Sequence, residues 1–506
     1  MKKFTYLLLL SSILAIVSIS ELKAQLYGTN TFEFQYGNLP FEEDSDLTTS
    51  YNQLNLYYDQ GNFSLFGRAE QFLTPVSEAN YFEFTQKRFQ FQDDTFRLRV
   101  GNFYETLGSG LLLRSYEIPG SVYEDEFSRT RYAFFRDLEG VAFDINLDWA
   151  EFKAIRSEAL QNLLPPNFEP DSVRRPDLIE ALQATFYPND MVSIGGTLIR
   201  VNTPNNSDFS SYASIITNIQ LPANFQLFGE YAFNTDSELF SFKTDQSYAL
   251  YSGVNYYKGS FGGSFEYKNY SNFRLGSSGF NDPPSLIKEH TYPVLNRSTH
   301  VPNTSSEHGV QAELFYSFDD GHSIVANYAY TVNEVFRRNE YREYFLEGTF
   351  KVTDQFTLKS FVDFANDEPK LHKNRISVGL ISDKGFGNSK NLILDLQYQT
   401  YEESFQPKKI ENYFSSISFS LNSSLNFAAI FEATTEPGLT DNPNTFPRIE
   451  TDPRTWLGFN ALYRVNTSNS IALFVGKRRG GPACTSGICY EILDFEGAEL
   501  RVTTRF

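Results

Sequence analysis

Residue types that carry metal and redox chemistry are nearly absent. The 506 residues include two cysteines, two methionines, two tryptophans and five histidines. Two thiols fall short of the four thiolate or imidazole ligands usual for a zinc or iron–sulfur centre. Cys484 and Cys489 are separated by four residues, so they form no C-x-x-C redox motif. H-E-x-x-H, G-x-S-x-G and Gly-Lys-Ser/Thr are also missing, which removes the local signatures of zinc proteases, serine hydrolases and phosphate loops. Positive charge is scarce: 43 Lys and Arg stand against 62 Asp and Glu, a formal net charge of −19. That balance argues against nucleic acid or anionic lipid as a partner. Beyond residue 24, no apolar run approaches the roughly 20 residues of a membrane-spanning helix.

The start of the chain is built differently. "MKKFTYLLLLSSILAIVSISELKA", residues 1–24, joins the basic Lys2 and Lys3 to an apolar stretch and a small-residue site at Leu22-Lys23-Ala24. This is the layout of a secretory signal peptide, and the apolar run is short for a spanning anchor. No lipobox cysteine accompanies it. Export puts Cys484 and Cys489 where disulfides persist. "CTSGIC" is therefore expected to be a loop tip closed by a Cys484–Cys489 disulfide, without chemistry of its own.

What the chain has in excess is aromatic: 49 Phe and 31 Tyr. Apolar residues alternate with polar ones in segments of about ten residues, the length a tilted strand needs to cross a bilayer. "TFEFQY" sets Phe32, Phe34 and Tyr36 against Glu33 and Gln35. "QFTLKSFVDF" sets Phe356, Leu358, Val362 and Phe364 against Lys359 and Asp363. "LNFAAIFEAT" places Leu425, Phe427, Ala429 and Phe431 opposite Asn426, Ala428, Ile430 and Glu432. The pattern runs from Tyr27 to Phe506 without a linker, which favours one closed sheet over a series of soluble sandwiches.

The connections alternate too. Tight turns stand at Gln60-Gly61-Asn62, Gln92-Asp93-Asp94, Pro188-Asn189-Asp190, Asp319-Asp320-Gly321 and Asn466-Thr467-Ser468. Between them fall longer segments at about 37–50, 106–137, 159–177, 203–208, 235–245, 272–306, 435–453 and 480–492. Short turns at one end and long loops at the other are the asymmetry of outer-membrane barrels, whose interfaces are girdled by aromatic residues. The expectation is an all-β, up-and-down transmembrane barrel over residues 25–506, with about 24 antiparallel strands (22–26).

The last strand, "EGAELRVTTRF", turns Ala498, Leu500, Val502, Thr504 and Phe506 one way and Glu499, Arg501, Thr503 and Arg505 the other. Gly497, Leu500, Val502 and the terminal Phe506 resemble the C-terminal assembly signal of outer-membrane proteins. The resemblance implies insertion by the barrel-assembly machinery. Two stretches, "GNFYETLGSGLLLRSYE" (101–117) and "GKRRGGPACTSGICYEILDFEGAELRVTTRF" (476–506), together resemble an uncharacterised family of Bacteroidota outer-membrane proteins, grouped by a domain of unknown function. That resemblance implies a large barrel and no assigned activity. It carries over only positions: Gly108, Gly110 and Arg114, then Arg478, Gly480, Gly481, Cys484 and Cys489.

Residues expected to line the lumen are Glu33, Arg68, Glu70, Arg97, Arg99, Glu230, Glu347, Lys359, Asp363, Asp395, Glu499 and Arg501. Their mixed signs fit a hydrated interior. Arg68, Arg97 and Arg99 form either a basic ladder suited to anions or partners for facing carboxylates, and the second is the plainer reading. Leu111-Leu112-Leu113, beside Gly108, Gly110 and Arg114, needs an apolar surface to bury against. Residues 106–137 then fold onto the rim or into the lumen as a constriction, or else extend the strand above the membrane. His290, His300, His308, His322 and His372 match no metal spacing and read as solvated loop residues. Asp441, Asn442 and Asn444 read as loop-solvating residues before calcium ligands.

Three functions are compatible with these features. The first is a porin-like channel or substrate-specific pore for small solutes, without cofactor and without catalysis. No globular plug domain precedes the first strand, and a barrel this wide needs loops to narrow it. The segments 106–137, 272–306 and 435–453 are the material for that. The second is a structural or accessory barrel in an envelope complex, with "GFNDPPSLIKEHTYPVLNRS" as a surface docking element. The third is a hydrolase assembled at the rim from different strands.

Overall fold

The computed structural model describes residues 26–506 apart from 39–45, 126–128, 161–163, 167–173, 205–208, 335–336, 404–408, 437–453, 486–487 and the single positions 76, 241, 244 and 278. The expected signal peptide, the Asp441–Asn444 loop and parts of the long loops therefore lie outside the described residues. Twenty-four strands make one antiparallel sheet, each paired with its neighbours along the chain. The first, Leu26–Asn38, closes on the last, Phe495–Arg505, in continuous register from Thr29↔Arg505 to Asn38↔Glu496. Closure leaves no free edge, so every strand satisfies its backbone on both sides. Among the described residues the one α-helix is Pro293–Arg297, and no helix is long and apolar enough to cross a membrane.

Alternation decides what faces where. Leu182, Leu198, Phe265, Leu346, Phe364 and Leu457 point outward and are 45–65% exposed. Their strand neighbours Ala181, Ile199 and Asp363 point inward and are 0–3% exposed. Leaving one large apolar side chain in water forfeits about 1.5–3 kcal/mol, and here the outward face is apolar all round, so the surface is suited to lipid. Aromatic pairs flank the short turns: Tyr27 stacks on Tyr57 at 5.0 Å, Phe63 meets Phe91 at 5.1 Å, and Phe225 meets Tyr256 at 4.5 Å. These form a girdle at the turn end, where Leu26 and Phe506 also sit. Gly28 donates its N–H to the Phe506 carbonyl at 2.8 Å.

A row of inward-facing glycines crosses four adjacent strands: Gly37 pairs with Gly497, Gly497 with Gly476, and Gly476 with Gly458. A Cβ at Gly37, Gly497 or Gly476 would collide with backbone carbonyl oxygen of the next strand. The wall is thus drawn together at the seam where first and last strands join. Gly497, read from sequence as part of an assembly signal, has this second reason to be glycine.

Candidate functional site

Two segments from the loop end turn into the lumen. The first, residues 104–125 and 129–137, follows the wall strand Phe96–Phe103. It makes a small hairpin, Thr106–Leu107 against Leu113–Arg114, then pairs Tyr116–Glu124 with Arg131–Arg136. The apolar run predicted to need a burial partner finds one. Leu111 and Leu112 are fully buried in a cluster with Ile155, Ala181, Ile199, Ala232, Ala249 and Phe273. Most of these are inward residues of the wall, so the interior on this side is dry and apolar, not the hydrated polar bore expected from the charges alone.

The loop glycines serve close contacts. Gly108, at φ +57°, donates its N–H to Gln183 at 3.0 Å and leaves no room for a Cβ beside the Glu230 carboxylate. Ser109 then gives both its N–H and its hydroxyl to Glu230, at 2.6 and 2.5 Å. Gly110 closes the turn onto the Leu107 carbonyl at 3.0 Å. Arg114 reaches Asp282 of the second inward segment at 2.9 Å.

The second segment, residues 272–307, links the wall strands Phe261–Ser271 and His308–Ser317. The sequence offered it as material to narrow the barrel or, in the second reading, as a surface docking element; it packs inside, as the first requires. Phe273, Leu275 and Phe280 join the apolar cluster of the first segment. Tyr292, Val294 and Leu295 rest on inward Phe345, Phe361 and Phe414. The reason lies in the wall, which offers rings and amides at matching positions: Gln399 donates to the Val294 carbonyl at 3.1 Å, and Gln397 accepts its N–H at 3.2 Å.

The histidines correct another expectation. His290 and His300 are not solvated: both are buried, His290 3.2 Å from Glu343 and His300 3.1 Å from Asp367. Burial opposes a charge on His300, but the Asp367 and Glu307 carboxylates outweigh it and raise its pKa. Burial likewise opposes a charge on Glu307, yet Lys268 and His300 outweigh it and hold this carboxyl down to about 2. Among the described residues no group of three or more His, Cys, Asp or Glu is arranged to hold a metal ion.

The residues read from sequence as lumen-lining occupy inward positions, but many meet the inserted segments and not open water. Arg131 of the first segment lies 2.8 Å from Glu33 and 3.7 Å from Glu499, while Arg501 pairs with Glu33 from the last strand. Arg68 pairs with Glu117, and Glu70 accepts the Ala133 N–H at 2.7 Å. Arg97 and Arg99 share Asp144, at 2.9 and 3.0 Å, and Arg99 also takes Glu105. Three arginines thus find carboxylates and make no bare ladder. Glu347 accepts from Tyr292 and pairs with Lys359 at 3.1 Å, and Asp395 accepts from Gln397 at 2.9 Å. Asp363 lies 3.2 Å from Arg375, a residue sequence reading missed. Arg375 also meets Glu343 at 2.9 Å and donates to the Ser298 carbonyl at 2.8 Å.

Leu500 and Val502 face outward opposite Phe34 and Phe32. Cys484 and Cys489 are register partners in the hairpin Gly481–Thr485 with Ile488–Ile492, but their side chains lie outside the described residues. That hairpin leans inward, with Tyr490 against Phe134 at 4.8 Å.

Residues 1–118 and 199–506 match the family of unknown function DUF6029. The chain belongs to that family. No curated protein matches this DUF6029 member in sequence. Among solved structures, an E. coli P pilus tip assembly intermediate, PapC-PapD-PapK-PapG, is similar at TM-score 0.51 and 10% identity, over 94% of this chain and 60% of that one. The P pilus usher (PapC) translocation pore is similar at TM-score 0.49 and 9% identity, over 95% and 98% of the two chains. Pseudomonas aeruginosa OccK5 (OpdH) follows at TM-score 0.39 and 13% identity, over 68% and 93%. At these identities the first likeness bears on the fold alone: a large closed barrel.

Proposed function

We propose that this DUF6029 protein is a porin-like outer-membrane channel for small solutes, held shut in the present conformation by its own inward segments. The observation that carries the reading is a wide barrel whose lumen is occupied by the described residues of 104–137 and 272–307, held to the wall by ion pairs and hydrogen bonds as well as by apolar packing. Conductance in planar bilayers tests it: the intact protein should pass little current, and deletion of 106–137 should give a large ohmic conductance. Unchanged conductance on deletion would falsify the gate.

The same reading includes export through residues 1–24, insertion by the barrel-assembly machinery, a Bacteroidota origin and a Cys484–Cys489 disulfide. Membrane fractionation checks the location. Free thiols found by mass spectrometry in protein taken from cells would refute the disulfide. The role is non-enzymatic, and turnover of phospholipid or peptide would count against it. The dry Leu111–Leu112–Phe273 cluster favours a second reading, a non-conducting accessory barrel in an envelope complex. Persistent silence of the deletion variant, with a partner co-purifying from native membranes, would decide for it.

A further inference from the structure

At the loop end the two inward segments leave a cavity of about 740 Å³ between them. Its walls carry Tyr116 and Arg136 from the first segment, Arg274, Asp282 and Thr304 from the second, and Asn333 from the barrel. The volume falls among those of small-molecule sites, about 300–1,000 Å³. Exposed Arg274 and Val301 place its mouth toward solvent. Two other cavities, of about 560 and 570 Å³, lie on the outward face among residues such as Leu56, Leu65, Phe89, Leu182 and Leu198, where acyl chains belong. The luminal one is the polar site.

Its charge runs against that of the chain. Asp282 is already engaged by Arg114 at 2.9 Å, and Arg136 hydrogen-bonds the Tyr116 hydroxyl. Among the described residues no ion pair involves Arg274. The site therefore has an excess of guanidinium in a protein of net charge −19. Room for Arg274 is built in: Gly279, at φ +71°, passes beneath it, and a Cβ there would come within 3.1 Å of the arginine's Cγ and Nε.

Guanidinium groups present planar donor pairs that match carboxylate and phosphate oxygens. The surrounding hydroxyl and amide groups match hydroxyls. We infer that this cavity binds a small anionic polyol, a sugar bearing a carboxylate or a phosphate, held between Arg136 and Arg274. The inference deepens the channel reading by naming a solute class, but binding and conductance are measured separately.

Calorimetric titration of the purified full chain in detergent, with glucuronate, glucose 6-phosphate and glucose as probes, tests it. At least one anionic sugar should bind, with glucose weaker by about tenfold or more. Arg274→Ala and Arg136→Gln should each weaken the anionic sugar by about tenfold, while Arg200→Ala, on the outward face, should not. Binding of glucuronate alone would assign a carboxylate, and of glucose 6-phosphate alone a phosphate. Equal binding of glucose, no binding of any probe at millimolar concentration, or indifference to both arginine variants would overturn the proposal. Retention of the folded, heat-modifiable band on gels shows that each variant is assembled. Binding by the full chain with a silent 106–137 deletion variant removes the channel and keeps the site; conductance of that variant without binding by the full chain does the reverse.

Discussion

Arg131 holds its guanidinium 2.8 Å from Glu33, joining a strand inside the lumen to the strand with which the barrel begins. Glu33 is also paired with Arg501 of the last strand, and Arg131 reaches toward Glu499 there. The inward hairpin therefore docks on the seam and requires both seam strands in place. Removing one partner of a buried pair costs about 3–5 kcal/mol where the other charge is left uncompensated, and less here because Glu33 keeps Arg501. Arg131→Met should raise hydrogen exchange across 116–136, with the barrel wall unaffected. Adding Glu33→Gln should recover part of the protection; no difference between single and double variants would refute the seam contact.

The glycine row makes a prediction of its own. At Gly497 a Cβ would strike the Tyr36 carbonyl, whereas at Gly67 it would meet nothing within 4 Å. Gly497→Ala should lower the temperature at which the folded band is lost on gels, while Gly67→Ala should not. Equal tolerance would mean that the strands at the seam separate without strain.

How much of this was legible in the sequence depends on which face a residue serves. Phe32, Phe34 and Tyr36 announce a lipid-facing strand because a two-residue period leaves one geometry, and repeating it gives the strand number. The inward positions are ambiguous. Ala181, Ala232 and Ala249 are as apolar as their outward neighbours, a sign of a dry interior that alternation alone does not separate from noise. Leu111-Leu112-Leu113 was the one loop signal strong enough to suggest insertion. In "KEHTYPVLNRSTH" the polar residues mimic a solvated loop, because His290, Arg297 and His300 are matched by Glu343, Glu432 and Asp367 on distant strands. Pairing across 50 or more residues is invisible to local reading.

The second segment should loosen at both extremes of pH. His300 has a raised pKa in the folded protein, so its contribution is complete below its ordinary 6.5 and disappears as pH rises through the higher folded value. Glu307 is depressed from 4.5 to about 2, so its contribution is complete above 4.5 and disappears as pH falls toward 2. Hydrogen exchange in residues 272–307 should be slowest between about 4.5 and 6.5, after correction for intrinsic rates. His300→Gln should abolish the alkaline limb and leave the acidic one. A flat profile in the parent protein would show that these ion pairs do not hold the segment.

Arg375 offers the sharpest separation of gate from wall. It is 2% exposed, pairs with Glu343 and Asp363, and gives a third hydrogen bond to the Ser298 carbonyl. Two of these partners belong to the barrel and one to the inserted segment, so the side chain is a bridge. Arg375→Met keeps much of the volume but strands two carboxylates, a loss of about 3–5 kcal/mol. Wall strands paired with a neighbour on each side can absorb that, even with the register shift between Lys373 and Ile376; a segment held by side chains cannot. The variant should therefore keep its heat-modifiable band yet expose 288–303 to protease and raise bilayer conductance. Combining it with Glu343→Gln and Asp363→Asn removes the stranded charges and should close the lumen again, so protease resistance that fails to return in the triple variant would place the segment's anchorage elsewhere.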